Sequence, residues 1–312
     1  MNQPRTMINA KPAKAKIENS EAEVVNALDN LKVEIVDAPS LEQLDSYLPE
    51  YVMAIWEDKP GELAPLDPKQ RRWITNEVLH GRTFLPTAAE TIGITFKITG
   101  LSVQDITHLI RYRRGSFSAQ CTGDRFMTDD IFTIPAVIEE SKFASRYNAL
   151  MSDIHNLYID MVNEGISPLD ARYVMPMARS SFYYARFSYS DAISIIRQRI
   201  DRNIQPMSDN VLAYKMYEAL LEKYPNIWDH VDIDAPPKFY LGSMETKFCS
   251  NLYLPEDMHM PDRSKVDQTN YIYGYREWPE SFKKHYEHCK AAQQRAKAAA
   301  TDTLEPDLPE RQ

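Results

Sequence analysis

Alternation of apolar and polar residues predicts a β-strand in residues 91–99, where isoleucine or phenylalanine occupies every second position, mostly with threonine and lysine between them. Such a period of two is typical of a strand with one buried face. Residues 179–189, RSSFYYARFSY, predict a second strand that is rich in aromatic residues, which are interpreted as strand core, and VEIVD at residues 33–37 predicts a short third one. The sequence therefore predicts a small sheet.

Helical patterns dominate the rest of the chain. Ser20 and Glu23 have the spacing of a capping box, and Ser102 is placed to cap a second helix. The last helix is rich in alanine and charge, which predicts an exposed helix. Helices are predicted for residues 20–31, 68–78, 102–113, 137–164, 191–200, 208–223 and 281–300. The fold class that follows is α+β, helix-rich with a small antiparallel sheet.

Composition excludes several common functions. The nine glycines among 312 residues lie too far apart to form G-x-G-x-x-G or a P-loop. A net charge of −9 argues against nucleic-acid and membrane-surface binding. Because no apolar run approaches a membrane span, we expect a cytoplasmic protein. The three cysteines form no C-x-x-C pair, and neither a disulfide framework nor a metal site is predicted.

An arginine cluster lies between residues 108 and 126, in the run HLIRYRRGSFSAQCTGDRF. Serines and threonine are interleaved with the arginines in an otherwise acidic chain. Guanidinium groups beside hydroxyls and free backbone N–H groups suit a phosphate. Pairing of the arginines with nearby acidic residues is an equally open interpretation at this point.

The same stretch resembles the flavin-dependent thymidylate synthases. Their signature is Arg-His-Arg, seven residues and Ser; here Arg111-Tyr112-Arg113 is followed by seven residues and Cys121. Downstream, ARYVMPM at 171–177 and DAISIIRQR at 191–199 match further family segments in the same order. The resemblance covers residues 84–226. It implies a thymidylate synthase-like catalytic domain over 21–226, between a flexible arm at 1–20, an extension at 227–299 packed on that domain, and a disordered tail at 300–312.

The resemblance also implies roles for individual residues. Arg111 would contact both flavin and nucleotide, and Tyr112 and Arg113 would face the flavin. Arg199 is the predicted catalytic residue, because it would hold the pyrimidine carbonyl and stabilise the charge that develops as C5 becomes nucleophilic. Arg172 would reach the nucleotide of a neighbouring subunit. The other candidates are His108, Gln120, Cys121, Thr122, Gly123 and Arg125 for the nucleotide, and Ser118, Ser188, Ser190, Ser194 and Asn203 for the cofactor.

The implied reaction uses FAD, NADPH and 5,10-methylenetetrahydrofolate to methylate dUMP to dTMP, in a homotetramer with shared active sites. Several positions depart from the family pattern: Tyr112 replaces histidine, and Ser188, Ser190 and Ser194 replace Asn, Arg and Asn. A rebuilt pocket leaves open a dCMP methylase or a deoxypyrimidine hydroxymethylase, with Asp191 among the base-reading candidates. A non-catalytic nucleotide-binding homologue is the alternative of a different class.

Two further features raise the question of a nucleophile or a metal site. Cys121, at the position of the family serine, is interpreted as a wall of the pocket and not as a nucleophile. His285, His288 and Cys289 have helical spacing for a metal site, but they fall on a charged helix without a fourth ligand, which favours a solvated face.

Overall fold

The computed structural model describes residues 18–19, 21–57, 66–81, 87–119, 131–200, 207–234 and 278–300. Nearly all of the arm at 1–20 and of the tail at 300–312 lies outside these ranges, as does the loop that holds Gln120 to Arg125. Within the ranges, no helix is both long and apolar enough to cross a membrane.

A four-stranded antiparallel sheet forms the centre of the molecule. Its order is β2-β3-β6-β4, with β2 at Lys32–Asp37, β3 at Gly93–Ser102, β4 at Ser116–Ala119 and β6 at Ser180–Ser188. In the central pair, Phe96 lies opposite Ala185 and Ile98 lies opposite Tyr183, and all four side chains are fully buried. The alternation predicted for residues 91–99 and the strand predicted at 179–189 are therefore confirmed, and the buried side chains define which face of the sheet is the core.

Helices cover the buried face of this sheet. Residues of α2 (Leu41–Glu57), α3 (Pro68–His80), α9 (Tyr189–Arg199) and α10 (Met207–Lys223) join β3 and β6 in one hydrophobic cluster. Asp67 caps α3 through a capping box, and Gly81 ends it in the left-handed conformation. The helices are α1 Ala27–Asn30, α2 Leu41–Glu57, α3 Pro68–His80, α4 Thr87–Glu90, α5 Val103–Leu109, α6 Ala136–Glu139, α7 Ala144–Asn163, α8 Pro168–Ala171, α9 Tyr189–Arg199 and α10 Met207–Lys223.

A second, two-stranded sheet corrects the prediction at the start of the chain. The helix predicted for residues 20–31 is wrong, because Glu23–Asn26 forms strand β1 and pairs in parallel with β5 at Ile131–Ile134. Only α1 follows, and Asn26, not Ser20, provides its cap by accepting from the N–H of Leu28. A local capping pattern is outweighed here by strand pairing with a segment more than 100 residues away.

A bulge interrupts β3 near its end. Gly100 has φ +86°, and a side chain there would come within 2.2 Å of the backbone oxygen of Asn30. The register with β6 shifts between Thr99 and Leu101. As a result Leu101 and Ser102 are both buried, and Ser102 is positioned to cap α5 by accepting from the N–H of Asp105.

A final helix, α11 at Glu280–Ala299, packs against α10. The prediction of an exposed helix is wrong for one of its faces, where Phe282, Cys289, Ala292 and Ala296 are buried. Small residues allow close approach along this face, and the Cys289 thiol donates to the carbonyl of Tyr214. The charged residues of the sequence pattern occupy the opposite, solvated face.

Candidate active site

A buried charged cluster joins the ends of three helices. The Arg199 guanidinium, at the end of α9, donates to the Asp209 carboxylate on the first turn of α10 at 2.6 Å. His108, near the end of α5, lies 2.7 Å from the same carboxylate oxygen through Nδ1. Arg199 also donates to the backbone oxygen of His108 at 3.1 Å. The structure therefore brings the predicted catalytic arginine into direct contact with the predicted nucleotide-binding histidine.

The environment of this cluster fixes the orientation of Arg199. The Asp209 side chain is fully buried and that of Arg199 is 10% exposed, so their ion pair is shielded from water. The Asn210 amide donates to the backbone oxygen of Arg199. A paired guanidinium in such surroundings is held in one orientation, which suits a fixed donor toward developing negative charge.

A second carboxylate lies next to the cluster. The two oxygens of Asp105 accept from the hydroxyls of Ser102 and Ser208, at 2.5 and 2.6 Å. Burial raises the pKa of Asp105, and the nearby Asp209 adds to the effect. Burial also raises the pKa of Tyr183, whose ring projects from β6 into the same region, well above its ordinary value. Tyr183 therefore stays neutral at physiological pH.

The arginine signature lies on an exposed turn between α5 and β4. Arg111 and Arg113 are exposed, and neither forms a hydrogen bond or ion pair with another residue in the described part of the chain. Gly115 lets the turn pack onto the sheet, because a side chain at this position would meet the Phe187 ring at 2.4 Å. Among the residues that the structure describes, the turn thus presents two guanidinium groups that have no acidic partner.

Tyr112 points from this turn to the start of α9. Its hydroxyl donates to the Asp191 carboxylate at 3.3 Å, and Ser188 donates to the other oxygen of that carboxylate at 2.9 Å. Burial is the main cause of a raised pKa of Tyr112, which hydrogen bonding to Ser194 partly offsets. Arg114 approaches Asp191 to 3.5 Å from the solvent side. Two predicted cofactor residues, Tyr112 and Ser188, therefore meet at one carboxylate, and a third, Ser194, contacts Tyr112.

The remaining site candidates have different positions. Ser118 is exposed on β4, and Ser190 is half-buried in the first turn of α9. The other predicted contacts lie outside the described residues: Gln120, Cys121, Thr122, Gly123, Arg125 and Asn203.

Arg172 lines a cavity of about 280 Å³ with Tyr173, Met177 and the buried Arg179. The backbone here is tied to α5, because the N–H of Val103 donates to the carbonyl of Arg179. A larger cavity of about 760 Å³ lies elsewhere, between β2, α10 and α11. Its lining contains none of the predicted site residues, so we assign the site by chemistry and not by cavity size.

Sequence reasoning missed Asp209, Asp105 and Ser208 as members of the site. Asp209 is an acidic residue at the start of a helix that is otherwise largely buried, and this was the available signal. The three residues of α11 with helical metal-ligand spacing face different partners: His285 contacts Asp29, His288 contacts Glu218 and Cys289 contacts Tyr214. The interpretation as a solvated face is wrong for Cys289, which is buried.

Comparisons with known proteins identify relatives of this fold. Residues 52–226 match the Thy1 family, described as thymidylate synthase complementing protein. The UMP/dUMP methylase PolB from Streptomyces cacaoi bound with 5-Br dUMP is similar with a TM-score of 0.50 and 19% identity, over 67% of this chain and 96% of PolB. PolB bound with 5-Br UMP gives 0.51 and 16%, over 68% and 96%. Curated protein sequences give no significant match.

Proposed function

We propose, since this chain belongs to the Thy1 family of thymidylate synthase complementing proteins, that it transfers a one-carbon unit from 5,10-methylenetetrahydrofolate to C5 of a deoxypyrimidine monophosphate in a flavin-dependent reaction. Family membership makes the chain a methyltransferase that modifies C5 of a pyrimidine nucleotide. The family default, dUMP to dTMP, is the proposed reaction.

The observation that carries this proposal is the meeting of the signature turn with α9. Tyr112 reaches from the turn to Asp191 at one end of α9, and His108 contacts Arg199 at the other end. A substrate lying along α9 would have phosphate-binding guanidinium groups on one side and a fixed donor on the other. This is the combination that a nucleotide monophosphate requires.

Arg199 is the proposed catalytic residue. Methyl transfer at C5 places negative charge on the pyrimidine carbonyl, and a guanidinium already held by Asp209 needs no reorientation to meet it. His108 is proposed to contact the nucleotide from the adjacent helix end. Of the residues outside the described ranges, Gln120 to Gly123 and Arg125 are proposed to bind the phosphate.

The residues around the turn also fit a flavin dinucleotide. The exposed guanidinium groups of Arg111 and Arg113 suit its pyrophosphate, and the hydroxyls of Ser118, Ser188, Ser190 and Ser194 offer further polar contacts. When bound, FAD reduced by NADPH supplies the hydride that completes the methyl group. Asn203, outside the described residues, is proposed to join the cofactor contacts.

We propose a homotetramer with shared active sites, in which α7 contributes to subunit contacts. Six apolar side chains with alternating spacings of four and three residues form the α7 seam: Phe143, Tyr147, Leu150, Ile154, Leu157 and Met161. Phe143, Leu150 and Leu157 are 55%, 52% and 48% exposed. The other three side chains of the seam are half-buried. Three exposed apolar side chains at intervals of seven residues along one helix are typical of an interface.

Charges beside the seam favour pairing with a second copy. Lys142 and Arg146 lie toward the start of α7, and Asp160 and Glu164 lie at its end. In an antiparallel pair related by a twofold axis, the basic end of one helix would meet the acidic end of the other. Helix α7 also packs against the 3-10 turn Arg172–Val174, in which Tyr173 is 86% exposed and lines the cavity beside Arg172. This proximity of the α7 seam to Arg172 supports a role for Arg172 toward the nucleotide of a neighbouring subunit.

Asp191 favours cytosine as a second candidate base. Its carboxylate accepts hydrogen bonds from Tyr112 and Ser188, and a carboxylate also accepts from the exocyclic amino group of cytosine. The same charge disfavours the O4 carbonyl of uracil. A dCMP methylase, or a hydroxymethylase in which water intercepts the one-carbon adduct, follows if Asp191 reads the base.

One experiment separates these functions. The purified chain is examined for a flavin absorption band and is then incubated with dUMP or dCMP, methylenetetrahydrofolate and NADPH, and product masses are measured. The proposal predicts FAD-dependent formation of dTMP. A product from dCMP, or a hydroxymethylated base, would replace the substrate or the product assignment. A colourless protein that binds dUMP but takes up no FAD would contradict the proposal and support a non-catalytic homologue.

A lysine substitution tests the role of Arg199. Arg199→Lys keeps the positive charge beside Asp209 but loses the planar guanidinium, so the chain is expected to fold while kcat falls by about 100-fold or more. The matched control is Arg197→Lys, on the exposed side of the same helix. Steady-state kinetics and circular dichroism measure both variants; unchanged kcat in Arg199→Lys would contradict the assignment.

A further inference from the structure

Three potential metal ligands meet where α3 ends against the turn that follows α10. His80 is the last residue of α3, and Asp229 and His230 follow the 3-10 turn Pro225–Ile227. His80 Nδ1 lies 3.3 Å from His230 Nε2 and 3.6 Å from Asp229 Oδ1. One donor atom from each residue can be chosen so that all lie within 4.8 Å of one another. None of the three was predicted as a metal ligand, and none belongs to the proposed catalytic cluster.

We propose that His80, Asp229 and His230 bind a divalent transition-metal ion of the zinc class. In a tetrahedral zinc site with bonds of about 2.0–2.1 Å, neighbouring donor atoms lie about 3.3 Å apart. The His80–His230 separation matches the edge of such a tetrahedron, and the His80–Asp229 separation of 3.6 Å is slightly longer than this edge. Two imidazoles and one carboxylate suit zinc and its neighbours, whereas magnesium and calcium prefer oxygen ligands alone.

The surroundings hold these ligands in place. Gly81 ends α3 directly after His80, through hydrogen bonds from its N–H to the carbonyls of Glu77 and Val78. On the other side, the backbone oxygen of His230 accepts from Arg197 at 2.8 Å. Tyr189 spans both sides, because its ring packs edge-on against His230 while its hydroxyl donates to the carbonyl of Leu79. Such outer contacts orient ligating side chains.

Exposure of the site leaves room for a fourth ligand. Asp229 is exposed, while the histidines are half-buried, so water can complete the coordination from the solvent side. The bound ion would cross-link the end of α3 to the segment after α10. A site of this kind contributes its binding free energy to folding, and it is independent of the proposed methyl transfer.

Metal titration of the intact chain tests this site. EDTA-treated protein is titrated with Zn²⁺ by calorimetry, and the visible spectrum is recorded after addition of Co²⁺. One equivalent of Zn²⁺ is expected to bind, with the intense visible absorption of four-coordinate Co²⁺ and a higher melting temperature. His80→Ala and His230→Ala are each expected to weaken binding by at least about tenfold.

His288→Ala is the matched control, because His288 is 63% exposed and pairs with Glu218 on another part of the surface. This variant is expected to bind Zn²⁺ like the parent chain. No uptake by the parent, or equal weakening in His80→Ala and His288→Ala, would overturn the proposal and leave a simple hydrogen bond between the two imidazoles. If an alanine variant fails to fold by circular dichroism, His80→Gln and the Co²⁺ spectrum of the parent decide the question.

Discussion

The carboxylate of Asp209 is fully buried and pairs with both Arg199 and His108. Arg199 and His108 were predicted from the resemblance of local motifs. Asp209 was not, because it pairs across an interruption between two helices and has no motif of its own. Candidate site positions could thus be named from the sequence where a motif contains them, whereas their buried partners required the structure.

Asp209→Asn is expected to destabilise the protein. The change leaves the largely buried Arg199 without its counter-charge, and breaking a buried ion pair in this way costs about 3–5 kcal/mol of unfolding free energy. Urea unfolding measures the difference. The control is Asp232→Asn, an exposed carboxylate for which a change within about 0.5 kcal/mol is expected. If Asp209→Asn lowers the unfolding free energy no more than Asp232→Asn does, the Arg199 charge is balanced by other groups.

The titration of Asp105 predicts a pH-dependent effect on stability. Because its pKa in the folded chain is raised above the ordinary value of 3.8, the folded state holds this proton more strongly than the unfolded state does. Asp105 therefore reduces stability as pH rises from about 3.8 through the folded pKa. Asp105→Asn removes that titration.

Between pH 3.5 and pH 7, the stability of Asp105→Asn relative to the parent is expected to increase. Its unfolding free energy rises against that of the parent by about 1.4 kcal/mol for each unit by which the pKa of Asp105 is raised. Urea unfolding at several pH values gives this difference. Glu90→Gln, at an exposed position in α4, is the control and should give a difference that varies little. A constant difference for Asp105→Asn would contradict the raised pKa.

Among elements, the strands were more predictable from sequence than the ends of the helices. The burial of β3 repeats the alternation in its sequence. In β6 the burial also alternates, but the sequence does not show it, because the aromatic residues Phe182 and Tyr184 lie on the exposed face. β1, β4 and β5 have only four residues each and depend on partners distant in the chain. The helix predicted over 102–113 ends at Leu109, because the arginine signature continues as a turn that Gly115 packs onto the sheet.

The α7 seam predicts self-association through a helix. Leu157→Glu places a charge in the middle of the seam and is expected to reduce the molecular mass in solution, measured by light scattering after size exclusion. Ala149→Glu is the matched control, because this exposed position lies on α7 away from the seam. An unchanged mass in Leu157→Glu would place the subunit contacts elsewhere.

Charge reversal tests the antiparallel arrangement of two α7 helices. Arg146→Glu is expected to weaken association, because it would face Asp160 of the second copy. The double variant with Asp160→Arg is expected to restore it, since both contacts across the twofold axis are then of opposite charge again. Failure of the double variant to recover the parent mass would exclude this pairing. Sedimentation over a range of protein concentrations provides the measurement.

At the scale of the whole molecule, the family match and the hydrophobic core have different boundaries. The match ends at residue 226, but the core continues into α11 through Phe282, Cys289 and Ala296. The sequence predicted α11 by its composition, yet not which of its faces is buried, because a pattern of charge and alanine does not say which face meets α10.

Phe282→Ala tests whether α11 unfolds together with the sheet. Phe282 is 1% exposed and contacts Tyr214 and Trp278, so its truncation is expected to cost about 3–5 kcal/mol. If the core is continuous, tryptophan fluorescence and circular dichroism shift to lower urea together. Lys284→Ala, at a 73% exposed side chain, serves as control. Two separate transitions, of which only one shifts, would make α11 an independent appendage.

The bulge at Gly100 divides the chain into parts with different tolerance to change. Before it, the alternation in β3 builds the core; after it, the shifted phase turns Ser102 inward and determines where α5 and the arginine turn begin. A one-residue phase shift thus separates the strand that builds the core from the segment that carries the proposed substrate contacts. Variation at the exposed positions of residues 103–114 is expected to leave the strand order undisturbed, provided that residues 100 and 115 remain glycine. Laboratory evolution of a new base preference is therefore best begun at residues that follow this bulge in the chain.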